Sequence, residues 1–342
     1  MEFKFIEDGV EKNEVDRNAM GGTELMKYGL YERLDQEILK PFQIIPSRVR
    51  ELKDDKIKVY WLHDLPWDPE SKHLENGGWK KFDKIVYVSE WQKELYQNVY
   101  SIEPSKGVVL KNAIVPIEAA EKPDPTEEIR IIYHTTPHRG LELLVPVIES
   151  LCQVFDNIRL DVFSSFNAYG WPERDKPYQE LFDRCIAHPN IEYHGYQPND
   201  VVREYLQKAH IFAYPSIWLE TSCIALMEAM SAGCLCVHPN LGALPETASQ
   251  WTFQYNFHED PQAHANIFGS SLTECIEIFK SEDRRKLIKS RLAMQKQYAD
   301  AFYDWNVRSF QWNHMLGALY NAAEEKASVD GRSEESSDRE AG

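Results

Sequence analysis

The sequence has no long hydrophobic run and no cysteine pattern typical of a metal site. No window in the 342 residues approaches the ~18 consecutive apolar residues of a transmembrane helix. The N-terminal stretch MEFKFIEDGVEKNEVD is acidic and lacks the apolar core of a signal peptide. The six cysteines include no C-x-x-C pair, and Cys234 and Cys236 have no neighbouring cluster of ligands. We therefore expect a cytoplasmic protein.

Positive charge is also scarce. The chain has 38 lysines and arginines against 55 aspartates and glutamates, which gives a formal net charge of −17. Nucleic-acid binding needs a basic surface, so the composition argues against nucleic acid as the main partner. Stable docking on an anionic membrane is disfavoured, although peripheral membrane contact stays open. A local basic patch is still compatible with a phosphorylated small molecule.

Apolar stretches of strand length alternate with amphipathic helical stretches, which is the pattern of α/β proteins. The predicted strands are 3–6, 58–62, 84–88, 108–110, 129–133, 158–163, 191–193, 209–214 and 234–237. The predicted helices are 25–34, one from residue 90, 141–155, 178–187, 199–207, 223–231, 261–279, 282–302 and 304–320. Ligands bind beyond the carboxyl ends of parallel strands, so the loops after these strands form the candidate site.

A polar stretch divides this pattern into two halves. Residues 118–128, EAAEKPDPTEE, combine two prolines with many charges, which is typical of a linker. The alternation restarts at residue 129, so residues 1–117 and 129–302 are two candidate domains, with a ligand cleft between them. A last amphipathic helix is expected within 303–325, and the polar residues 326–342 are expected to be a disordered tail.

The stretch 214–233, YPSIWLETSCIALMEAMSAG, follows a predicted strand and carries two carboxylates near a helix start. Thr221 or Ser222 is expected to cap that helix, whose free N–H groups form an anion site. Beside such a site, Glu220 and Glu228 would accept hydrogen bonds from sugar or ribose hydroxyls. The alternative is two solvated surface residues, although the apolar neighbours of Glu228 fit that interpretation less well.

The E-x7-E spacing of Glu220 and Glu228 resembles the motif of GT-B glycosyltransferases, especially the retaining glycosyltransferase family 4. The later GALPE at 242–246 resembles the same family in order and spacing. The resemblance implies that Glu220 lies against the donor sugar and that Glu228 binds the ribose hydroxyls. The intervening donor-binding residues would be Thr221, Ser222, Cys223 and Ile224, where the family usually has a Gly-aromatic-Gly run.

The segment YHTTPHRG, residues 133–140, corresponds in this resemblance to a diphosphate clamp. The family has an Arg there and a Lys five residues later, and His134 and Arg139 hold those positions. Arg139 can bind two phosphate oxygens in a fork and stays charged, whereas a histidine is a weaker, pH-dependent clamp. A cation at a helix start opposes the helix dipole, which favours the functional interpretation of Arg139. His138 is interpreted as an ordinary loop histidine.

The N-terminal half resembles the family more loosely. Gly21 and Gly22 resemble its glycine loop, which approaches the donor phosphate and the acceptor. His63 ends a predicted strand where a family histidine faces the reacting sugar, and the alternative is a structural role at the strand end. Asp64 and Trp67 are candidate acceptor-side residues, although core packing is the commoner fate of tryptophan.

The resemblance implies the GT-B fold, in which two Rossmann-like domains face each other across a cleft and a C-terminal helix crosses back to the N-terminal domain. It also implies transfer of a sugar from a nucleotide-diphosphate-sugar donor to a hydroxyl of an acceptor, with retention of configuration. The acceptor is a glycan, a lipid-linked molecule or a small molecule. Glu220, His63 and Arg139 are the candidate catalytic residues.

We expect neither a metal ion nor a further cofactor. No D-x-D follows a predicted strand, and H-E-x-x-H is absent. Arg139 would neutralise the phosphates, helped by Lys27 or Lys111 and by helix dipoles.

Two other functions stay open. A nucleotide-sugar 2-epimerase shares the GT-B architecture and would use the same phosphate clamp without a second substrate. A non-catalytic nucleotide- or sugar-binding protein would keep the fold without turnover. The departures from the family pattern at His134, Ala113 and Thr221 leave room for the second of these.

Overall fold

The computed structural model describes residues 21–340, and it contains two parallel β-sheets. The first has four neighbouring strands in chain order: β1 (Phe42–Pro46), β2 (Ile57–Trp61), β3 (Lys84–Tyr87) and β4 (Gly107–Val109). The second has six strands: β5 (Ile129–Tyr133), β6 (Ile158–Val162), β7 (Ile191–Tyr193), β8 (Ile211–Ala213), β9 (Leu235–Pro239) and β10 (Phe253–Tyr255). Their spatial order is β10-β9-β8-β5-β6-β7, and every neighbouring pair is parallel. The α/β fold predicted from the sequence is therefore confirmed.

Helices connect the strands of both sheets. Those around the first sheet are α1 (Gly22–Tyr31), α2 (Gln36–Leu39) and α3 (Glu90–Tyr100). Those around the second are α4 (Leu141–Leu151), α5 (Gln179–Ala187), α6 (Asn199–Lys208), α7 (Ile224–Ser231), α8 (Leu244–Ala248), α9 (Pro261–Lys280) and α10 (Glu282–Phe302). The last helix is α11 (Trp305–Glu340). Short 3-10 segments occur at Pro69–Lys81, Pro104–Lys106, Pro137–Arg139, Phe166–Tyr169 and Pro172–Tyr178.

Two edge strands were not predicted from the sequence. β1 ends in proline, which has no N–H to donate inside a sheet. An edge strand tolerates such a residue, and β1 lies at the edge of the first sheet. β10 is only three residues long and lies at the edge of the second sheet. The strand predicted over 3–6 lies outside the described residues.

Each face of the first sheet packs into its own apolar cluster. Val59 and Trp61 of β2 belong to one cluster, and Tyr60 of the same strand belongs to the other. This alternation follows from the two-residue repeat of a strand, and burial on both faces is typical of parallel sheets. A third, larger cluster surrounds the second sheet, so each sheet has a core of its own.

Helix α11 crosses back onto the first sheet. Trp305, Trp312 and Leu316 belong to the same apolar cluster as Trp61, and the Trp312 and Trp61 rings lie 4.8 Å apart. Residues at positions i, i+7 and i+11 share one face of a helix, which explains how α11 covers the sheet. The predicted return of the C-terminal helix to the N-terminal domain is therefore present.

The helix also continues further than the sequence suggested. A disordered tail was expected from residue 326, whereas α11 runs to Glu340. No proline interrupts residues 326–340, and extending an existing helix avoids the unfavourable nucleation step. Residues 341 and 342 lie outside the described residues.

The two sheets are joined by residues 110–128, which form no helix and no strand apart from one bridge between Ile114 and Asp304. The predicted linker, 118–128, lies within this connection, and its boundaries stay a prediction. None of the helices within residues 21–340 is long and apolar enough to cross a membrane.

Candidate active site

The order of strands in the second sheet creates a site at its centre. The chain passes from β5 to β6 and β7 on one side, and then returns to place β8 on the other side of β5. At such a switch point the loops after the two central strands diverge and leave a crevice. The loop after β5 carries His134 and Arg139, and the loop after β8 carries Glu220. The sequence therefore brings its candidate phosphate clamp and its first carboxylate to one crevice.

A cavity of about 680 Å³ extends from this crevice to the N-terminal domain. Twelve of the thirteen predicted site residues line it: Gly21, Gly22, His63, Asp64, His134, Arg139, Glu220, Thr221, Ser222, Cys223, Ile224 and Glu228. Its size is typical of sites for small ligands. Trp67 does not line the cavity and is 56% exposed, so the structure does not bring this predicted acceptor-side residue to the site.

Arg139 and Glu220 form an ion pair inside the cavity. The Glu220 carboxylate accepts hydrogen bonds from the Arg139 guanidinium and from the Tyr214 hydroxyl, and only 5% of the Glu220 residue is exposed. Burial lowers the pKa of Arg139, but the Glu220 carboxylate and the neighbouring Tyr169, Tyr214 and Cys223 side chains together outweigh burial and raise that pKa well above its ordinary value. Arg139 therefore keeps its charge. Its Nε atom is buried and has no hydrogen-bond partner within residues 21–340.

Gly140 sets the direction of this loop. Its φ of +125° lies in the region that glycine favours, and a Cβ there would come within 2.2 Å of the Pro215 carbonyl oxygen. The loops after β5 and β8 therefore touch directly, which places Arg139 against Glu220.

The 220–224 loop is organised differently from the capped helix start that the sequence suggested. Helix α7 begins at Ile224, and Cys223 at its N-cap position makes no side-chain capping bond. The Thr221 hydroxyl instead donates a hydrogen bond of 2.8 Å to the His63 carbonyl oxygen in the N-terminal domain. The first-turn N–H groups of α7 therefore have no side-chain cap at the cavity, where an anion would be favoured.

Glu228 has two partners that were not predicted. Its carboxylate accepts from Arg203 at 2.8 Å and from Asn199 at 3.2 Å. Burial raises its pKa, and Arg203 opposes that rise. Arg203 also donates to the carbonyl oxygens of Val115 and Pro116 in the connection between the domains. The i, i+4 spacing of Asn199 and Arg203 on α6 is a signal that would have placed both on one helix face.

Three histidines at the cavity are neutral. Burial lowers the pKa of His63 and of His134 to about 3, and lowers that of His138 to about 4. His134 is therefore not a pH-dependent cationic clamp near neutral pH, contrary to expectation, because its buried imidazole carries no charge there. His138 is more than a loop histidine, since it stacks on Phe166 and contacts Trp218 edge-on.

Several buried polar atoms at the cavity have no partner within the described part of the chain. They include His63 Nε2, Asn112 Oδ1, Thr136 Oγ1, His134 Nε2, His138 Nδ1, Arg139 Nε and Ser164 Oγ. Buried polar groups in folded proteins are nearly always hydrogen-bonded, so such a concentration beside one cavity marks this region as unusual.

An aromatic loop after β6, residues 164–178, closes one side of the cavity and was also missed. Its Tyr169 ring packs so tightly on Gly21 that a Cβ there would lie 2.4 Å away. Its Trp171 ring faces the Arg48 guanidinium of the N-terminal domain at 5.7 Å. The signal was present, because aromatic residues in a polar loop directly after a strand point to a ligand site.

Carboxylates dominate the N-terminal part of the cavity. Glu24, Asp64 and Asp68 line it together with Arg48. Burial raises the pKa of Glu24 and of Asp64. The two lysines expected to assist the phosphate clamp do not line the cavity. Lys111 pairs with Glu246 instead.

One cluster of candidate metal ligands occurs among residues 21–340. Single ligand atoms of Asp161, Glu192 and His194 lie within 4.8 Å of one another. These residues do not line the cavity, and Asp161 already contacts His194 at 3.0 Å and Arg130 at 4.0 Å. The cluster therefore has no place in the chemistry of the cavity.

Comparison with known proteins agrees with this geometry. The chain is 30% identical over 168 residues to a subunit of phosphatidylinositol N-acetylglucosaminyltransferase from Arabidopsis thaliana, covering 48% of this chain and 36% of that protein. It is 27% identical over 167 residues to the human protein of the same name, covering 47% and 33% respectively. The match thus spans about a third of these relatives.

Solved structures share the fold over most of the chain. A glycosyltransferase from Rickettsia africae ESF-5 superposes with a TM-score of 0.64 at 15% identity, covering 91% of this chain and 84% of that one. An α,α-trehalose-phosphate synthase from Burkholderia vietnamiensis gives 0.63 at 12% identity, covering 87% and 76%. The family model described as glycosyl transferases group 1 matches residues 117–288, about half of the chain. The chain is a glycosyltransferase of the GT-B fold and belongs to the glycosyl transferases group 1 family.

Proposed function

We propose that this enzyme transfers a sugar from a nucleotide-diphosphate-sugar donor to an acceptor hydroxyl, with retention of configuration and without a metal ion. The observation that carries this proposal is the Arg139–Glu220 ion pair, which lines a cavity with many polar side chains at the switch point of the second sheet. A cavity of this polarity fits a ligand rich in hydroxyl and phosphate oxygens. Its position between the two domains suits a donor on one side and an acceptor on the other.

The donor side suits a diphosphate. Arg139 carries a permanent charge, and the N-terminus of α7 presents N–H groups without a side-chain cap. Both are suited to stabilise the negative charge that develops on the leaving phosphate oxygen. In this proposal Glu228 accepts hydrogen bonds from ribose hydroxyls, which is supported by Arg203 and Asn199, whose hydrogen bonds orient its carboxylate.

Retention is proposed to proceed by attack on the face that the diphosphate leaves. The bond from the anomeric carbon to the phosphate oxygen breaks, and the acceptor oxygen forms the new bond to that carbon. The acceptor proton passes to the leaving phosphate oxygen. Glu220 already accepts hydrogen bonds from Arg139 and Tyr214, which suits a carboxylate that positions the sugar better than a nucleophile.

The acceptor side is formed by the N-terminal domain. The neutral His63 imidazole is suited to hydrogen-bond a sugar hydroxyl, and Asp64 is suited to accept from the acceptor hydroxyl. The relatives are named for phosphatidylinositol and N-acetylglucosamine, which makes these the first acceptor and the first sugar to test.

We also propose that the protein is placed in the cytoplasm. All six cysteines are free thiols, which supports this placement.

A thermal-shift screen tests the donor site. UDP, GDP, ADP and their sugar conjugates are added with a chelator present, to the wild type and to Glu228→Gln. A ligand at 100 times its dissociation constant stabilises the fold by about 2.7 kcal/mol. We expect a shift with one nucleotide only, and a weaker shift in Glu228→Gln.

Turnover tests the reaction itself. The nucleotide sugar that gives the thermal shift is incubated with an acceptor in the presence of chelator, and product is expected to form. The NMR spectrum of the product is expected to show the same anomeric configuration as the donor. Inversion would overturn the retaining mechanism, and activity that requires added metal would overturn metal independence. Exchange of the hydrogen at the sugar 2-position without an acceptor would favour the 2-epimerase.

A further inference from the structure

Glu246 connects the two domains at a point outside the cavity. It lies in α8 of the C-terminal domain. Its carboxylate accepts hydrogen bonds from the backbone N–H groups of Glu90 and Trp91, each at 3.0 Å, and from the Lys111 ammonium. Glu90 and Trp91 are the first residues of α3, and Lys111 follows β4. Two of these donors therefore belong to the N-terminal domain, and the third belongs to the start of the connection that leaves it.

The N–H groups in the first turn of α3 donate to two different acceptors, the side chain of the helix's own N-cap residue and the Glu246 carboxylate. The Ser89 hydroxyl accepts from the Gln92 N–H at 3.0 Å, which leaves the two preceding N–H groups for Glu246. A negative charge is favoured there because the positive end of the helix dipole lies at the N-terminus. Burial alone would raise the pKa of Glu246, but the bonds from Lys111 and from the two N–H groups lower it. The carboxylate is therefore ionised at neutral pH.

The same contact is continuous with the 220–224 loop. Ala243, just before α8, donates its backbone N–H to the Glu220 carbonyl oxygen at 2.8 Å. On the other side of the contact, Asn112 follows Lys111 and donates its side-chain N–H to the Ser222 carbonyl oxygen at 3.1 Å. The 220–224 loop is therefore joined to this contact at two points. Glu220 is bonded to the segment that precedes Glu246, and Ser222 is bonded to the residue that follows Lys111.

We propose that Glu246 is a positioning residue, whose contacts with α3 and Lys111 hold the two domains closed and the 220–224 loop in place. Its three hydrogen-bond donors lie outside the cavity lining, so it acts through the domain boundary. Opening of this contact would separate His63 from Arg139, which stand on opposite domains. The kinetic consequence rests on the proposed function, whereas the effect on closure does not.

Two measurements test the proposal on the full chain. Small-angle scattering without ligand reports the radius of gyration, and steady-state kinetics report kcat and KM. Glu246→Ala is expected to increase the radius of gyration and to lower kcat about tenfold, since its three hydrogen bonds are lost. Glu246→Gln keeps one acceptor oxygen but sets an NH2 group against the Glu90 or the Trp91 N–H and removes the charge, so only part of the closure and of kcat is expected to remain. Lys111→Met keeps both contacts to α3, so a smaller loss than in Glu246→Gln is expected.

Glu90→Ala is the matched control. It removes a carboxylate at the same end of α3 that pairs with Lys93 on the surface, at 3.0 Å. It keeps the backbone N–H that Glu246 accepts from, so wild-type scattering and kinetics are expected. Glu246→Ala that behaves like Glu90→Ala in both measurements would overturn the proposal, with sugar transfer unaffected. Absence of turnover in the wild type would overturn the proposed function, while the scattering comparison still decides closure. If Glu246→Ala does not fold, Glu246→Gln and Lys111→Met decide the question by the same readouts.

Discussion

The Thr221 hydroxyl donates a hydrogen bond of 2.8 Å to the His63 carbonyl oxygen, which joins the 220–224 loop directly to the end of β2. The bond needs a side-chain hydroxyl. The glycine that is usual here in glycosyltransferase family 4, which this sequence resembles, lacks one. The departure at Thr221 thus has a structural role, because it fixes the distance between the loop and the residue expected to face the reacting sugar.

Thr221→Val is expected to reduce kcat about fivefold. Valine has nearly the same shape but cannot donate, and one hydrogen bond contributes about 1 kcal/mol. Thr221→Ser keeps the hydroxyl and is expected to retain wild-type kcat. Steady-state kinetics of both variants check this, and a loss of kcat in Thr221→Ser with none in Thr221→Val would show that the methyl group, not the hydroxyl, matters.

Arg139→Ala is expected to reduce kcat by about 10²–10³, the usual effect of removing one donor from a developing oxyanion. Arg139→Lys keeps the charge but loses the fork that binds two oxygens, so a smaller loss is expected. Single-turnover rates at saturating donor separate this effect from weaker binding. A loss in Arg139→Ala that appears only in KM would show that Arg139 binds the ground state and the transition state equally.

Much of the fold could be predicted because its strands have strong local signals. β5 has the predicted bounds because buried parallel strands are mostly apolar runs, and the edge strand β7 and the long helix α10 also have the predicted bounds. The strands that were missed, β1 and β10, lie at sheet edges and are short or end in proline. An edge position does not by itself explain why they were missed, because β4 and β7 are also short edge strands and were predicted.

Residues of the candidate site could be predicted where a local sequence pattern marks them. Contacts between segments that are distant in the sequence were missed. Glu220, Glu228 and Arg139 stand after strands or at a helix start, and the strand pattern alone points to those loops. Arg203 and Glu246 act across segments more than twenty residues apart, which no local pattern records. The neutrality of His134 follows from burial, which is set by the packing around it.

Arg203→Gln is expected to destabilise the fold by about 3–5 kcal/mol. It leaves Glu228, which is 5% exposed, as a buried carboxylate without its ion-pair partner. The free energy of unfolding from denaturant titration checks this value. Arg159→Gln is the matched control, because Arg159 is 40% exposed and pairs with Glu128 at the surface, so a loss below ~1 kcal/mol is expected. Equal losses would contradict a buried Glu228–Arg203 pair.

Stability is expected to fall as the pH drops below about 6.5. His210, His238 and His264 are at most 2% exposed, and burial lowers each of their pKa values to about 4. An unfolded histidine has a pKa of about 6.5, so between pH 6.5 and 4 the unfolded chain binds more protons than the folded one. Each such histidine therefore contributes stability that is present above pH 6.5 and lost below it, by up to about 1.4 kcal/mol per pH unit.

His238→Asn is expected to reduce this pH dependence, because His238 sits between the Pro239 carbonyl oxygen and the Thr252 hydroxyl, at 2.9 and 2.8 Å. With Nδ1 donating to the carbonyl, Nε2 must accept from the hydroxyl, and a proton on Nε2 removes that bond. Unfolding free energies at pH 7.5, 6.0 and 5.0 give the slope for each variant. The exposed His314→Asn serves as the control and is expected to keep the wild-type slope. An unchanged slope in His238→Asn would show that the acid sensitivity arises elsewhere.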